Sequence, residues 1–199
     1  MKEAVEHLRV NLGKKVADNQ SAALHFEGIN GEPLVMSKDS FYPIDPKMTL
    51  GLITFVDGGN CEIIKGSSFS LQFIRVYAST FASGARISSQ KKEFFAYLYA
   101  TEENGTLIYK SVFFDCDLLD EADFIIAASD ASIKNGSTRG SLSSLGSIIR
   151  RCAELAIAAK LIDAPKKEGM IVLDGSLQGL HTVESKFLAA LYDKAIASK

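Results

Sequence analysis

Cysteine is scarce in this sequence, and its three copies follow no pattern that binds metal or builds a disulfide framework. Cys61, Cys116 and Cys152 are widely separated, and no C-x-x-C pair occurs. An odd, scattered set of cysteines argues against a structural zinc site and against a fold held together by disulfides. We therefore expect a reducing, cytoplasmic location.

Long apolar runs and an excess of positive charge are also absent. No stretch approaches the roughly 20 apolar residues of a membrane-spanning helix, and the first residues do not have the form of a signal peptide. We expect no contact with a membrane. Because the formal net charge is −2, binding of nucleic acid would require a local basic patch on a slightly acidic surface.

The composition is that of an ordinary globular protein. Hydrophobic residues make up 47% of the 199 residues and charged residues 23%, a balance that allows a sizeable core. We expect residues 1–48 to form a lead-in, with one helix over about Lys2–Ala17 followed by loops. Residues 49–199 are expected to form the main domain as one globular unit.

Hydrophobic periodicity divides the main domain into two halves of different character. Strands are predicted at 49–56, 70–81, 93–101 and 106–114, with turns at 57–60 and 104–105. Residues 115–128 predict a short helix and 129–144 a loop. A helix from about Leu145 to Ala159, a buried strand at 170–173 and a last helix capped by Thr182 follow. The sequence thus predicts an α/β fold, with an antiparallel meander followed by helix, strand and helix.

Two similar motifs end two of these strands. The runs Phe55-Val-Asp57-Gly-Gly and Val172-Leu-Asp174-Gly-Ser each deliver one Asp at the end of an apolar strand, with Gly directly after it. Cleavage of phosphodiesters with Mg²⁺ or Mn²⁺ needs carboxylates held on rigid elements, and a Gly beside each carboxylate allows close approach of a second group. The pair predicts a metal site.

Each Asp also has an ordinary structural interpretation. Asp57-Gly58 between two strands is typical of a type I′ hairpin turn. Asp174 is equally consistent with a residue that enters a loop or caps a helix. The patterns alone leave both interpretations open.

Four segments together resemble one family, the NurA nucleases. They are the runs Gly51 to Gly59, Phe73 to Tyr77, Arg150 to Leu155 and Ile171 to Leu177, and the resemblance covers about Leu50 to Leu177. It implies an RNase H-like mixed sheet and a metal-dependent DNA nuclease with exonuclease (5′–3′) and endonuclease activity. It also implies a HerA-type translocase ATPase as the partner in processing double-strand breaks.

The resemblance implies three metal ligands for Mn²⁺ or Mg²⁺. Asp57 would be the ligand from the first strand, Glu154 the ligand from the helix and Asp174 the ligand from the later strand. On a helical wheel Glu154 lies nearly opposite the apolar stripe, so the alternative is a solvated Glu in ion pairs with Arg150 and Arg151. These two arginines, with Arg139, are the candidate contacts to DNA phosphates.

The chain departs from the family at its C-terminal end. Family members continue with another strand, another helix and a stretch that bears a metal-binding His, and His181 does not match that stretch. We therefore expect a C-terminally truncated fold, which is a fragment, a split protein or a member that no longer cuts. The missing strand would expose a sheet edge, which a homodimer would cover.

Two competing functions differ from a nuclease. A sugar-kinase or actin-like ATPase also places Asp-Gly-Gly after a first strand, but the spacing here is one residue short and Asn60 replaces the expected Thr. The second competitor is a catalytically inactive NurA-like interaction module that binds a HerA-type ATPase. The truncated C-terminus favours the inactive module, and a metal-binding measurement would separate it from an active nuclease.

Overall fold

The chain divides into two compact units, Met1–Met48 and Thr49–Lys199. The computed structural model describes residues 25–27, 33–35, 51–134, 138–162 and 169–198. In the first unit the described residues form an antiparallel pair of short strands, β1 (His25–Glu27) and β2 (Pro33–Val35). The helix predicted over Lys2–Ala17 lies outside the described residues.

In its described residues, the second unit contains one mixed sheet of six strands, two α-helices and one 3-10 turn. The elements in chain order are β3 (Leu52–Lys65), β4 (Phe69–Ala82), β5 (Ala85–Glu103), β6 (Thr106–Phe114), the 3-10 turn Glu121–Phe124, β7 (Ile126–Ala127), α1 (Leu142–Ile162), β8 (Gly169–Leu173) and α2 (Thr182–Ala197). The predicted α/β class is confirmed.

The sheet begins as an antiparallel meander and ends with a crossover. Its strand order is β7-β6-β5-β4-β3-β8, and all neighbours are antiparallel except β3 and β8, which are parallel. A parallel neighbour needs a long connection, and α1 supplies most of the chain between β7 and β8. The crossover therefore places the end of β8 beside the middle of β3.

The β5–β6 hairpin forms at the turn that the sequence predicts. Asn104 and Gly105 have φ angles of 51° and 75°, as a two-residue type I′ turn requires. The β4–β5 hairpin turns in the same way at Ser83 and Gly84, with φ angles of 47° and 79°. We did not predict the second turn, and β5 begins at Ala85 rather than Glu93, because the polar residues of its first half show no apolar alternation.

The predicted turn at 57–60 is wrong, because β3 continues through it. Asp57, Gly58, Gly59 and Asn60 pair with residues 77, 76, 75 and 74 of β4. Gly is common in turns, but here Gly58 faces α1 at a point where no side chain fits. The two glycines are therefore part of a strand that a helix crosses closely.

The helical segments differ from their predictions in smaller ways. The helix predicted within 115–128 is a single 3-10 turn, α1 begins three residues before Leu145, and the N-cap of α2 is His181 rather than Thr182. Within the described residues no helix has the length and apolar character needed to cross a membrane.

The core lies between α1 and one face of the sheet. Along β3 and β4 burial alternates, so that Val56, Ile74 and Val76 face α1 while their sequence neighbours face the opposite side. Buried residues of α1, such as Ile149 and Cys152, pack on these strands, and α2 packs on α1. Among the described residues, the sheet therefore has one face covered by α1 and an opposite face on which no helix packs, here called the open face.

Candidate functional site

Three of the four segments that carry the resemblance, those with Asp57, Glu154 and Asp174, lie close together in the fold. Leu173 pairs with Val56 in the parallel β3–β8 ladder, so Asp57 and Asp174 follow neighbouring positions on adjacent strands. The helix motif lies against the same place, since a Cβ atom at Gly58 would stand only 2.8 Å from Oε1 of Glu154. All three segments therefore lie together where α1 crosses β3 beside the end of β8.

A pocket of about 400 Å³ opens beside this meeting point. It lies between α1 and the segment that joins β8 to α2. Six charged or ionisable residues are part of its lining: Arg150, Arg151, Glu154, Asp174, His181 and Glu184. Among the described residues, this pocket is lined by the helix motif and the β8 motif, and no residue of the Asp57 motif lines it.

Glu154 is buried in the wall of the pocket and holds two arginines. Its side chain is 2% exposed, and its two carboxylate oxygens accept hydrogen bonds from Arg150 and Arg151, the latter at 3.1 Å. Burial raises the pKa of Glu154, and the two guanidinium groups act in the opposite direction. Glu154 does form the predicted helical ion pairs, but the alternative of a solvated Glu is wrong because this side of α1 packs on Gly58.

The two arginines use their guanidinium groups to connect α1 to the interior of β3 and to the exit of β8. Arg150 donates to the carbonyl oxygen of Gly58 at 3.4 Å. Arg151 donates to the carbonyl oxygens of Asp174 at 3.0 Å and of Ser176 at 2.8 Å. Both groups are therefore engaged inside the protein, whereas Arg139, the third predicted phosphate contact, is exposed just before α1.

Asp57 points away from this pocket. Its backbone neighbours Val56 and Gly58 face α1, so alternation along β3 directs the Asp57 side chain to the open face. Its Oδ1 accepts a hydrogen bond from the backbone N–H of Gly58 at 2.7 Å. Asp57 and Glu154 therefore lie on opposite sides of the same strand.

Asp174 lines the pocket at the exit of β8. The chain turns directly after it, where Gly175 adopts a φ of 81° that favours glycine. Asp174 and Glu154 thus share one pocket, with Arg151 bonded to the backbone of the first and the carboxylate of the second. The structure brings together two of the three predicted ligands.

The side chains as arranged do not fit the predicted metal site. Within the described parts of the chain, no group of three or more His, Cys, Asp or Glu residues is placed to hold a metal ion. A cation at Glu154 would also stand beside two guanidinium charges that already occupy both carboxylate oxygens. The Mn²⁺ or Mg²⁺ site at Asp57, Glu154 and Asp174 stays a prediction.

His181 also lines the pocket, although the sequence indicated only a loop histidine. Its Nδ1 lies 2.7 Å from the backbone carbonyl oxygen of Ser132. A carbonyl oxygen can only accept, so His181 donates this hydrogen bond from Nδ1–H. No sequence signal pointed to this residue, because Ser132 is 49 positions away and only the fold brings the two together.

Comparisons with protein-family models, curated proteins and solved structures find no match for this chain.

Proposed function

We propose that this chain is a NurA-like interaction module for DNA-end processing, which binds DNA and a HerA-type ATPase without cutting DNA itself. The observation that carries this proposal is the ion-paired state of Glu154. Its carboxylate holds Arg150 and Arg151, which connect α1 to Gly58 within β3 and to the exit of β8. Glu154, the predicted metal ligand, therefore has a structural role, because its carboxylate is occupied by these two ion pairs.

The orientation of Asp57 supports the same proposal. A metal-dependent hydrolase needs its carboxylates around one small volume, and Asp57 faces away from the pocket that Glu154 and Asp174 share. The HerA-type partner and the DNA are proposed from the sequence resemblance. Exposed Arg139 is the predicted phosphate contact that remains on the surface.

An active metal-dependent DNA nuclease is the second candidate. The convergence of the three motifs favours it, since Asp57 and Asp174 follow paired positions of β3 and β8 and Glu154 touches Gly58. The strand arrangement is also consistent with an RNase H-like fold, which we propose for the second unit. The RNase H-like fold is supported by the antiparallel meander β3–β4–β5, which is followed along the chain by α1 and by a strand that lies parallel to β3.

One set of assays separates the two candidates. Purified full-length chain is incubated with end-labelled single- and double-stranded DNA in Mn²⁺ or EDTA, and Mn²⁺ binding is measured by calorimetry. For the interaction module we expect DNA binding that persists in EDTA, no metal-dependent cleavage and no stoichiometric uptake of Mn²⁺. We also expect Arg139→Met to weaken DNA binding.

Variants of the two aspartates that were predicted as metal ligands test the nuclease candidate. Cleavage that requires Mn²⁺ and is lost in both Asp174→Asn and Asp57→Asn would overturn the interaction module and establish the nuclease. The matched control is Asp193→Asn, which removes an exposed carboxylate of α2 that does not line the pocket. Loss of cleavage in this control as well would point to an indirect effect of charge.

A further inference from the structure

Glu154 differs in its burial from the other carboxylates that form ion pairs. Its side chain is 2% exposed, whereas each of the others among the described residues is at least 20% exposed. Removing a carboxylate from water costs free energy unless a cation compensates its charge. The structure places two cations at this position, the guanidinium groups of Arg150 and Arg151.

The charges of these side chains balance as they would around a divalent cation. Asp174 lines the same pocket as Glu154, so that two carboxylates face two guanidinium groups. Arg151 bridges the two acidic residues, because it donates to the carboxylate of Glu154 at 3.1 Å and to the backbone carbonyl oxygen of Asp174 at 3.0 Å. The two arginines together thus supply the positive charge that one Mg²⁺ or Mn²⁺ ion would supply to a pair of carboxylates.

Each guanidinium group holds a backbone carbonyl oxygen as well as Glu154. Arg150 donates to Gly58 within β3, and Arg151 donates to Ser176 after β8. Arginine suits such a position, because its planar guanidinium group offers several donors at once and is more weakly hydrated than an ammonium group. A metal ion that bound Glu154 would have to displace at least one guanidinium group, and that group would lose its backbone hydrogen bonds as well.

We propose that Arg150 and Arg151 together take the place of a divalent cation at Glu154 and so exclude metal ions from the pocket. Glu154 and Asp174 then form a latent metal site, which becomes accessible to Mn²⁺ when one guanidinium group is removed. This inference rests on the proposed function, since it gives the physical reason why the interaction module binds no metal. It assigns to the two arginines a role in excluding metal ions that is separate from any contact with DNA.

Titration calorimetry of the full chain with Mn²⁺ tests this exclusion. Arg150→Met removes one guanidinium group and leaves Arg151 bonded to the exit of β8. We expect this variant to bind Mn²⁺ at least tenfold more tightly than wild type does, and Mn²⁺ to raise its melting temperature. The matched control is Arg150→Met/Glu154→Gln, which lacks the buried carboxylate and should bind Mn²⁺ no better than wild type. A folded Arg150→Met that gains no affinity for Mn²⁺, or gains it equally in the control, overturns the inference and leaves the proposed function standing.

Two further measurements apply if Arg150→Met does not fold. Arg151→Met frees the other carboxylate oxygen of Glu154 and should gain affinity for Mn²⁺ in the same way, so that no gain in this variant overturns the inference. The other measurement uses wild-type protein, in which equimolar paramagnetic Mn²⁺ should leave the NMR signals of the amides in residues 174–178 unchanged. Selective broadening of these signals would show that Mn²⁺ enters the pocket while both arginines are present. That result would overturn the inference and contradict the proposed function as well.

Discussion

Gly58 and Glu154 are in direct contact where α1 crosses β3. A Cβ atom at residue 58 would lie 2.8 Å from Oε1 of Glu154, 3.0 Å from the carbonyl oxygen of Arg75 and 3.2 Å from Cγ of Arg150. The carbonyl oxygen belongs to a paired strand and cannot move aside. The absence of a side chain at residue 58 therefore sets how closely the helix approaches the sheet.

The first prediction concerns these two neighbouring glycines. Gly58→Ala should lower the free energy of unfolding by about 1–3 kcal/mol, because the new methyl group overpacks the interface between β3 and α1. Gly59→Ala is the matched control, since a Cβ atom there meets nothing within 4 Å. Urea denaturation followed by circular dichroism measures both. Equal stability of the two variants would contradict the close approach of α1.

Sequence periodicity predicted β3 to β6, α1, β8 and α2 in their observed order, but it predicted neither β7 nor the course of β3. The run 49–56 is nearly continuous in apolar residues, which predicted a strand buried on both faces. Phe55 is 48% exposed whereas Val56 is 2% exposed, so only one face is covered. Burial alternates along β3 and directs Asp57 away from α1. The sequence does not reveal this alternation, because exposed positions such as Phe55 are apolar like the buried ones.

The sequence predicted which segments form the candidate site. It did not predict how their side chains are oriented within it. The sequence predicted a strand after α1 but not the strand beside which it lies. The structure pairs this strand, β8, in parallel with β3, and this pairing accounts for the proximity of Asp57 and Asp174. The burial of Glu154 depends on the missing side chain at Gly58, which sequence reasoning assigned to a turn. The contact of His181 with Ser132 joins residues 49 positions apart, and local sequence patterns do not predict contacts at that separation.

The second prediction concerns Arg151 and the loop after β8. Arg151→Met removes the hydrogen bonds to the carbonyl oxygens of Asp174 and Ser176, and it also removes one of the two ion pairs of Glu154. A hydrogen bond from a charged donor contributes about 1.5–3 kcal/mol to the free energy of unfolding. We therefore expect the free energy of unfolding of Arg151→Met to fall by a similar amount. Hydrogen exchange of the amides in residues 174–178 should quicken more than elsewhere in the domain. The exposed Arg139→Met should leave that exchange unchanged, and equal protection in both variants would refute the role of Arg151.

The third prediction is a pH dependence that arises from Glu154. Because burial raises its folded-state pKa above the ordinary value of 4.5, the folded protein binds this proton more tightly than the unfolded chain does. The resulting stabilisation is complete below pH 4.5 and is lost as the pH rises through the folded pKa. Glu154→Gln cannot lose that proton. We therefore expect the stability of wild type relative to this variant to fall as the pH rises from 4.5.

Denaturation series between pH 4 and 8 measure that difference. The control is Ser147→Ala, a change at an exposed residue of the same pocket that carries no titrating group. Its stability relative to wild type should not vary with pH. A difference between wild type and Glu154→Gln that rises with pH would mean that the ion pairs with Arg150 and Arg151 outweigh burial, and that the pKa is lowered.

The last prediction distinguishes the cysteines by their burial. Cys152 is fully buried between α1 and the sheet, and burial raises the pKa of its thiol, so almost no reactive thiolate forms at neutral pH. In dilute protein we expect Cys61, which is exposed, to react with a maleimide within minutes and Cys152 to react only after unfolding. Peptide mapping by mass spectrometry measures both sites in one sample. Rapid modification of Cys152 in folded protein would show that α1 separates from the sheet far more readily than its packing implies.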